Sequence, residues 1–211
     1  MRMNKLAILF LISMSAFSVN AAENFRQVVL PKSVSVHLPK NWIILSDDIM
    51  TTIDASAQSI SQKMGRVDAS TELAFGAGYI FGRQSAALFN IRYYPDLKVS
   101  QSMVRGFSGE EIEDFDRSLS EVITTSNKQA GTPVLEWEGT KRIEINGVCA
   151  LVSEYVRAPT SKRNENFCVR LVRVLDEGRS FTITVSYRID LNLVLRPICD
   201  HIIESIEQAE K

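Results

Sequence analysis

Three cysteines, two histidines and one dense run of acids are the side chains of this sequence with chemistry to offer. Cys149, Cys168 and Cys199 can act as nucleophiles, metal ligands or disulfide partners, depending on whether each thiol is ionised, bound or buried. No two Cys or His stand at metal-ligand spacing, so no metal site is predicted. Neither His37 nor His201 accompanies a Ser or Cys nucleophile motif, and both are expected at the surface. Glu110, Glu111, Glu113, Asp114 and Asp116 crowd into one short stretch, and a glycosidase-type carboxylate pair can be built from such a set. Acids in a helix's first turn also stabilise its dipole, and that is the expectation here and for Asp47-Asp48. Gly-x-Ser-x-Gly does not occur, and Gly76-Ala77-Gly78 lacks the rest of a dinucleotide fingerprint. No catalytic, cofactor-binding or metal-binding set is predicted.

The address of the chain decides how these residues are read. Arg2 and Lys5 precede an uncharged run, Leu6 to Phe17, and Val19-Asn20-Ala21 then offers a signal-peptidase site. The run is shorter than the roughly 20 residues of a membrane span, and no Cys follows the small residues to carry a lipoprotein anchor. The expectation is a cleaved signal peptide over residues 1–21 and a soluble periplasmic or extracellular chain from Ala22. About 190 residues then remain, enough for one domain with a core that needs no disulfide. Loss of Arg2 and Lys5 leaves 22 basic against 25 acidic residues, a formal charge of −3. With no basic block, nucleic acid and anionic membrane surfaces are not expected as partners.

The elements that must position the chemistry follow from periodicity. Val34, Val36 and Leu38 alternate as one face of a strand, Pro39-Lys40-Asn41 turns, and Trp42 to Leu45 reads as a short strand. Ser46 caps a helix carrying Ile49, Ile53, Ala57, Ile60 and Met64 at helical spacing. Leu73–Ala77 and Ala87–Tyr94 read as strands around a glycine-rich connection of Gly76, Gly78 and Gly82. Ser100–Phe107 reads as a short helix. Ser108 with Glu111 makes a capping box for a longer one, with Ile112, Phe115, Leu119, Val122 and Ile123 as its stripe, ending near Asn127. Val134–Ile145, Val148–Arg157, Phe167–Leu175 and Phe181–Tyr187 form a meander, its first turn at Asn146-Gly147 and its last at Glu177-Gly178. Leu195–Ile206 is a terminal helix with Pro197 in its first turn.

Turn chemistry sets the register. It places Ile145 opposite Val148, Ile143 opposite Ala150, Val174 opposite Phe181 and Val172 opposite Ile183. A loop centred on Lys162 then pairs Val152 with Val172 and Glu154 with Arg170. One face carries Val148, Ala150, Val152, Val172, Val174, Phe181, Ile183 and Val185; the other carries Leu151, Tyr155, Phe167, Val169 and Leu171. The second face turns polar outward, at Glu136, Glu138, Arg142 and Glu144 on one side and Thr182, Thr184 and Ser186 on the other. A sheet apolar on both faces must be covered on both. The expected fold class is therefore α+β, an antiparallel β-sheet with helices on both faces. The terminal helix is expected on the Phe181 face and an earlier helix on the Leu151 face. In this register Cys168 and the inner face of the terminal helix, with Cys199, meet on one side of the sheet, while Cys149 points to the other. If a disulfide forms it is Cys168–Cys199; the alternative, three buried free thiols, stays open.

The order of elements resembles the PsbP-like superfamily, which includes a Ran-binding nuclear protein and periplasmic DcrB-like proteins. Val34-Ser-Val-Ser-Val-His-Leu-Pro-Lys-Asn-Trp42 is similar to that family's opening strand, Pro turn and Trp. Phe181 to Tyr187, then Pro197 and Ile202-Ile203-Glu204-Ser205-Ile206, are similar to its closing strand and helix. The resemblance runs in order over most of the chain after residue 21, on short hydrophobic motifs, and departs from the DcrB-like pattern in lacking the lipoprotein Cys. It implies an α/β/α sandwich and an accessory, chaperone-like or partner-binding role, with no shared active site to carry over.

Among residues for such a role, Tyr93 and Tyr94 are candidate partner contacts, because Tyr anchors many interfaces. Lys162 and Arg163, at the tip of an expected basic loop, are the others. Trp42 and Trp137 are expected in the core. The expected function is a non-enzymatic exported protein that binds an envelope or secreted protein or assists envelope function. One version is an immunity protein neutralising a toxin in the periplasm; the rival class is a hydrolase with dispersed carboxylates. A deep polar cleft with converging titratable groups would favour the enzyme, and a flat surface with exposed aromatics the binder.

Overall fold

The computed structural model describes residues 24–63, 72–94, 98–159 and 165–208. The expected signal segment, Met64, Lys162 and Arg163 lie outside them.

Two antiparallel sheets organise the described residues. The smaller has β1 (Phe25–Leu30), β2 (Val34–Pro39) and β10 (Glu207–Gln208) in the order β1-β2-β10. Val34, Val36 and Leu38 alternate into the core as their spacing predicts, and Trp42 follows them inside. The larger sheet has seven strands: β3 (Ile43–Ile44), β4 (Glu72–Phe81), β5 (Gln84–Tyr94), β6 (Val134–Ile145), β7 (Val148–Arg157), β8 (Phe167–Val174) and β9 (Ser180–Arg188). Their spatial order is β3-β4-β5-β9-β8-β7-β6. Among the described residues are four α-helices, α1 (Asp47–Lys63), α2 (Gln101–Gly106), α3 (Gly109–Gln129) and α4 (Asn192–Glu204), and two short 3-10 turns, Pro31–Ser33 and Ile189–Leu191. None of them is long and apolar enough to cross a membrane.

The meander has the register its turns dictate. Ile145 faces Val148, Val152 faces Val172, Glu154 faces Arg170 and Val174 faces Phe181. Asn146 and Gly147 take φ of 48° and 79°, as a two-residue hairpin turn requires. Both faces are covered. Phe181, Ile183, Val172 and Val174 pack against Leu195, Cys199 and Ile202 of α4. On the opposite face Leu151 packs with Val104 and Phe115, and Tyr155, Val169 and Leu171 with Ile123 and Trp137. Ser108 caps α3 through the reciprocal box with Glu111.

Three local expectations are corrected. β9 is the middle strand of the larger sheet, not a polar edge: β5 pairs along it, and Thr182 and Ser186 are buried. Gly76 and Gly78 sit inside β4, with only Gly82, at φ of 66°, in the connecting turn. The glycine serves packing there, since a Cβ on Gly76 would lie 2.8 Å from Leu45 Cδ1. Helix α4 begins at Asn192, so Pro197 stands in its second turn; the helical bond to Leu193 is lost at an exposed end of the helix.

Candidate functional site

Helix α4 crosses the sheet with two stripes of different character. Leu195, Cys199 and Ile202 are buried against the core. Arg196, Asp200 and Glu204 recur every fourth residue and so share an adjacent face. That charged face looks toward the flank of the sheet where Lys141 and Ile143 of β6, Glu154 of β7 and Arg170 of β8 project on the same side. Between helix and strands lies a groove of about 450 Å³, also lined by Glu138, Val152 and Ile203.

Arg170 is the hub of the groove. Its Nε donates to Glu154 Oε2 at 2.8 Å, and its Nη1 donates to Asp200 Oδ1. The Arg196 guanidinium lies 3.8 Å from Glu154 Oε1, and the Cys168 thiol donates to that same oxygen at 3.3 Å. Burial pushes the Glu154 carboxyl up, but the Arg170 hydrogen bond and charge prevail and hold it below its ordinary value. Burial opposes the Arg170 charge, and the hydrogen bonds to Glu154 and Asp200 more than restore it. The groove thus holds an ionised carboxylate whose oxygens already have donors, and a guanidinium that stays charged.

The thiols are in the opposite condition. Burial pushes Cys168 up to about 11 and Cys199 up to about 12, and also raises Cys149. A thiol is nucleophilic only as thiolate, so all three are inert near neutral pH. Cys168 and Cys199 share the core beneath α4, as the register predicts, and Cys149 lies on the other face. All three carry free thiols in this structure.

The other candidates disperse. Tyr93 is buried, its hydroxyl donates to the Pro31 carbonyl, and Lys32 Nζ sits 4.9 Å from its ring centroid, so it is a core anchor and not a partner contact. Its burial follows from β5 lying inside the sheet, between β4 and β9. Tyr94 is half-buried on the opposite face, where its hydroxyl accepts from Thr182 Oγ1 at 3.3 Å. Asp116 accepts from Trp137 Nε1 at 3.0 Å and from Thr140 Oγ1, tying α3 to β6. Glu111 caps its own helix, and Asp114 pairs with Arg117 one turn on. These acids do not converge. His37 and His201, each expected at the surface, are half-buried, with ring centroids 5.8 Å apart. Sequence reasoning found Glu154 and Arg170 as a cross-strand pair and missed Arg196 and Asp200, whose i, i+4 spacing beside the apolar stripe was the available signal.

No protein-family model matches the sequence, and no curated protein matches it significantly. Solved structures do match in fold. The cyanobacterial PsbP protein CyanoP of Synechocystis is similar over 91% of this chain and 96% of its own, at 11% identity and a TM-score of 0.54. LpqN of Mycobacterium tuberculosis, involved in cell envelope biogenesis, matches over 86% and 88% at 13% identity and a TM-score of 0.40. A Mog1 variant matches over 89% and 97% at 7% identity and a TM-score of 0.44. The likeness to CyanoP shows that the fold is PsbP-like.

Proposed function

We propose that this chain is an exported, non-enzymatic accessory protein of the cell envelope that binds another protein in the groove between β6 and α4. The observation that carries this reading is the pairing within the groove. Ionisable groups do converge there, which by itself would favour an enzyme. Yet Arg170 is held by Glu154 and Asp200, and the oxygens of Glu154 are taken by Arg170, Arg196 and Cys168. A general base needs basicity and a general acid needs a proton near the working pH; Glu154, held ionised below its ordinary value by Arg170, is a weak base with no proton to give. What such a set offers is a rigid charge pattern between apolar walls of Ile143, Val152 and Ile203. Interfaces use that arrangement to fix orientation and exclude wrong partners. Export rests on the N-terminal sequence pattern.

Envelope fractionation followed by capture on the unaltered protein tests the reading. The expected result is a periplasmic protein with one stoichiometric partner, whose recovery falls at least ~tenfold when Lys141 and Arg196 on the groove rim are both changed to Glu, as loss of charge complementarity requires. Capture that ignores this change, or the absence of any partner together with turnover of a substrate, overturns it.

A further inference from the structure

We propose that His37 and His201 form a binding site for a borderline divalent cation of the Cu²⁺, Ni²⁺ and Zn²⁺ class. They are the two histidines of the whole sequence. One stands on β2 and the other near the end of α4, and the fold brings their ring centroids to 5.8 Å with 34° between the planes. Two imidazoles that each give one nitrogen to a tetrahedral ion, at about 2.0–2.1 Å, hold their centroids about 5 Å apart. Small side-chain rotations close the difference.

The surroundings hold the pair in place. Ser205 ties both backbones together: its Oγ accepts from the His37 N–H at 2.8 Å, and its own N–H donates to the His201 carbonyl at 3.0 Å. Phe25 packs on the His201 ring at 4.2 Å between centroids and limits its rotation. Among the described residues no hydrogen bond claims either imidazole. Both residues are half-buried and keep part of their surface open to solvent. Among the described residues no Asp, Glu or Cys completes a set of three with the two histidines. Water can complete the coordination. Imidazole donors select Cu²⁺, Ni²⁺ and Zn²⁺, whereas Mg²⁺ and Ca²⁺ require all-oxygen sets.

Calorimetric titration of the untagged protein with Cu²⁺, Ni²⁺, Zn²⁺ and Mg²⁺ tests the site. One ion per chain is expected for the first three at micromolar concentration, and none for Mg²⁺. His37→Gln and His201→Gln should each weaken binding at least ~tenfold, as loss of one of two nitrogen ligands requires, while the metal-free melting temperature stays unchanged. Electron paramagnetic resonance of the copper-loaded, unaltered protein should show coupling to two nitrogens, a reading that does not depend on either variant folding. No binding, binding retained in both variants, or a copper signal with oxygen ligands alone overturns the proposal.

Discussion

Glu154 stands directly across the β7–β8 ladder from Arg170, and its Oε2 accepts from Arg170 Nε at 2.8 Å. This one contact joins the register of the sheet to the charge pattern of the groove. Arg170 has a second partner, Asp200, on a helix distant in sequence. The pair is therefore both a local consequence of strand pairing and one corner of a tertiary network.

Removing one member of this network should cost more than replacing both. Glu154→Ala leaves Arg170, with 14% of its side chain exposed, held by Asp200 alone. A loss of about 2 kcal/mol is expected by urea denaturation, less than for a fully buried pair because Asp200 remains. Combining Glu154→Leu with Arg170→Met should cost less than the sum of the two single changes. Strict additivity would show that the two side chains do not stabilise each other.

The same carboxylate gives stability an acid limb. Its folded value lies below the ordinary 4.5. Its contribution is therefore complete above pH 4.5 and is lost as pH falls through the lower folded value. Wild-type protein should lose stability more steeply below that point than Glu154→Gln. Superimposable acid limbs for the two proteins would contradict the argument.

All three thiols should be silent in the folded protein. With Cys168 at about 11 and Cys199 at about 12, iodoacetamide at pH 8 should label none of the cysteines until denaturant is added. Labelling of all three on unfolding, without reductant, matches the free thiols of this structure. Selective protection of Cys168 and Cys199 would reveal the bridge that their shared side of the sheet suggested.

Gly76→Ala should destabilise by no more than about 1 kcal/mol, because the added methyl would lie 2.8 Å from Leu45 Cδ1, the end of a half-buried side chain that can turn. Shortening Leu45 to Ala in the same protein should recover part of that loss in thermal denaturation. Equal stability of Gly76→Ala and wild type would mean that Leu45 moves aside without cost.

Legibility follows the range of the interactions. Ser108 and Glu111 are three residues apart, and their capping box was readable because helix geometry alone brings them together. Asn146-Gly147 fixed the β6–β7 register for the same reason. The position of β9 was not readable: its pairing with β5 joins segments far apart in the chain, and no local residue announces it. The burial of Tyr93, offered as a candidate partner contact, was not readable either, since it follows from β4 and β9 flanking its strand.

From the sequence alone came the α+β class, the two apolar faces of the meander, its register, and the Glu154–Arg170 pair. All of these depend on alternation and on turns of a few residues. The tertiary structure alone decided that β9 lies at the centre, that Asp200 and Arg196 complete a groove around Arg170, and that His37 and His201 meet. Those relationships rest on where α4 and the small sheet dock, and docking follows the sum of buried surface, which no local pattern of residues encodes.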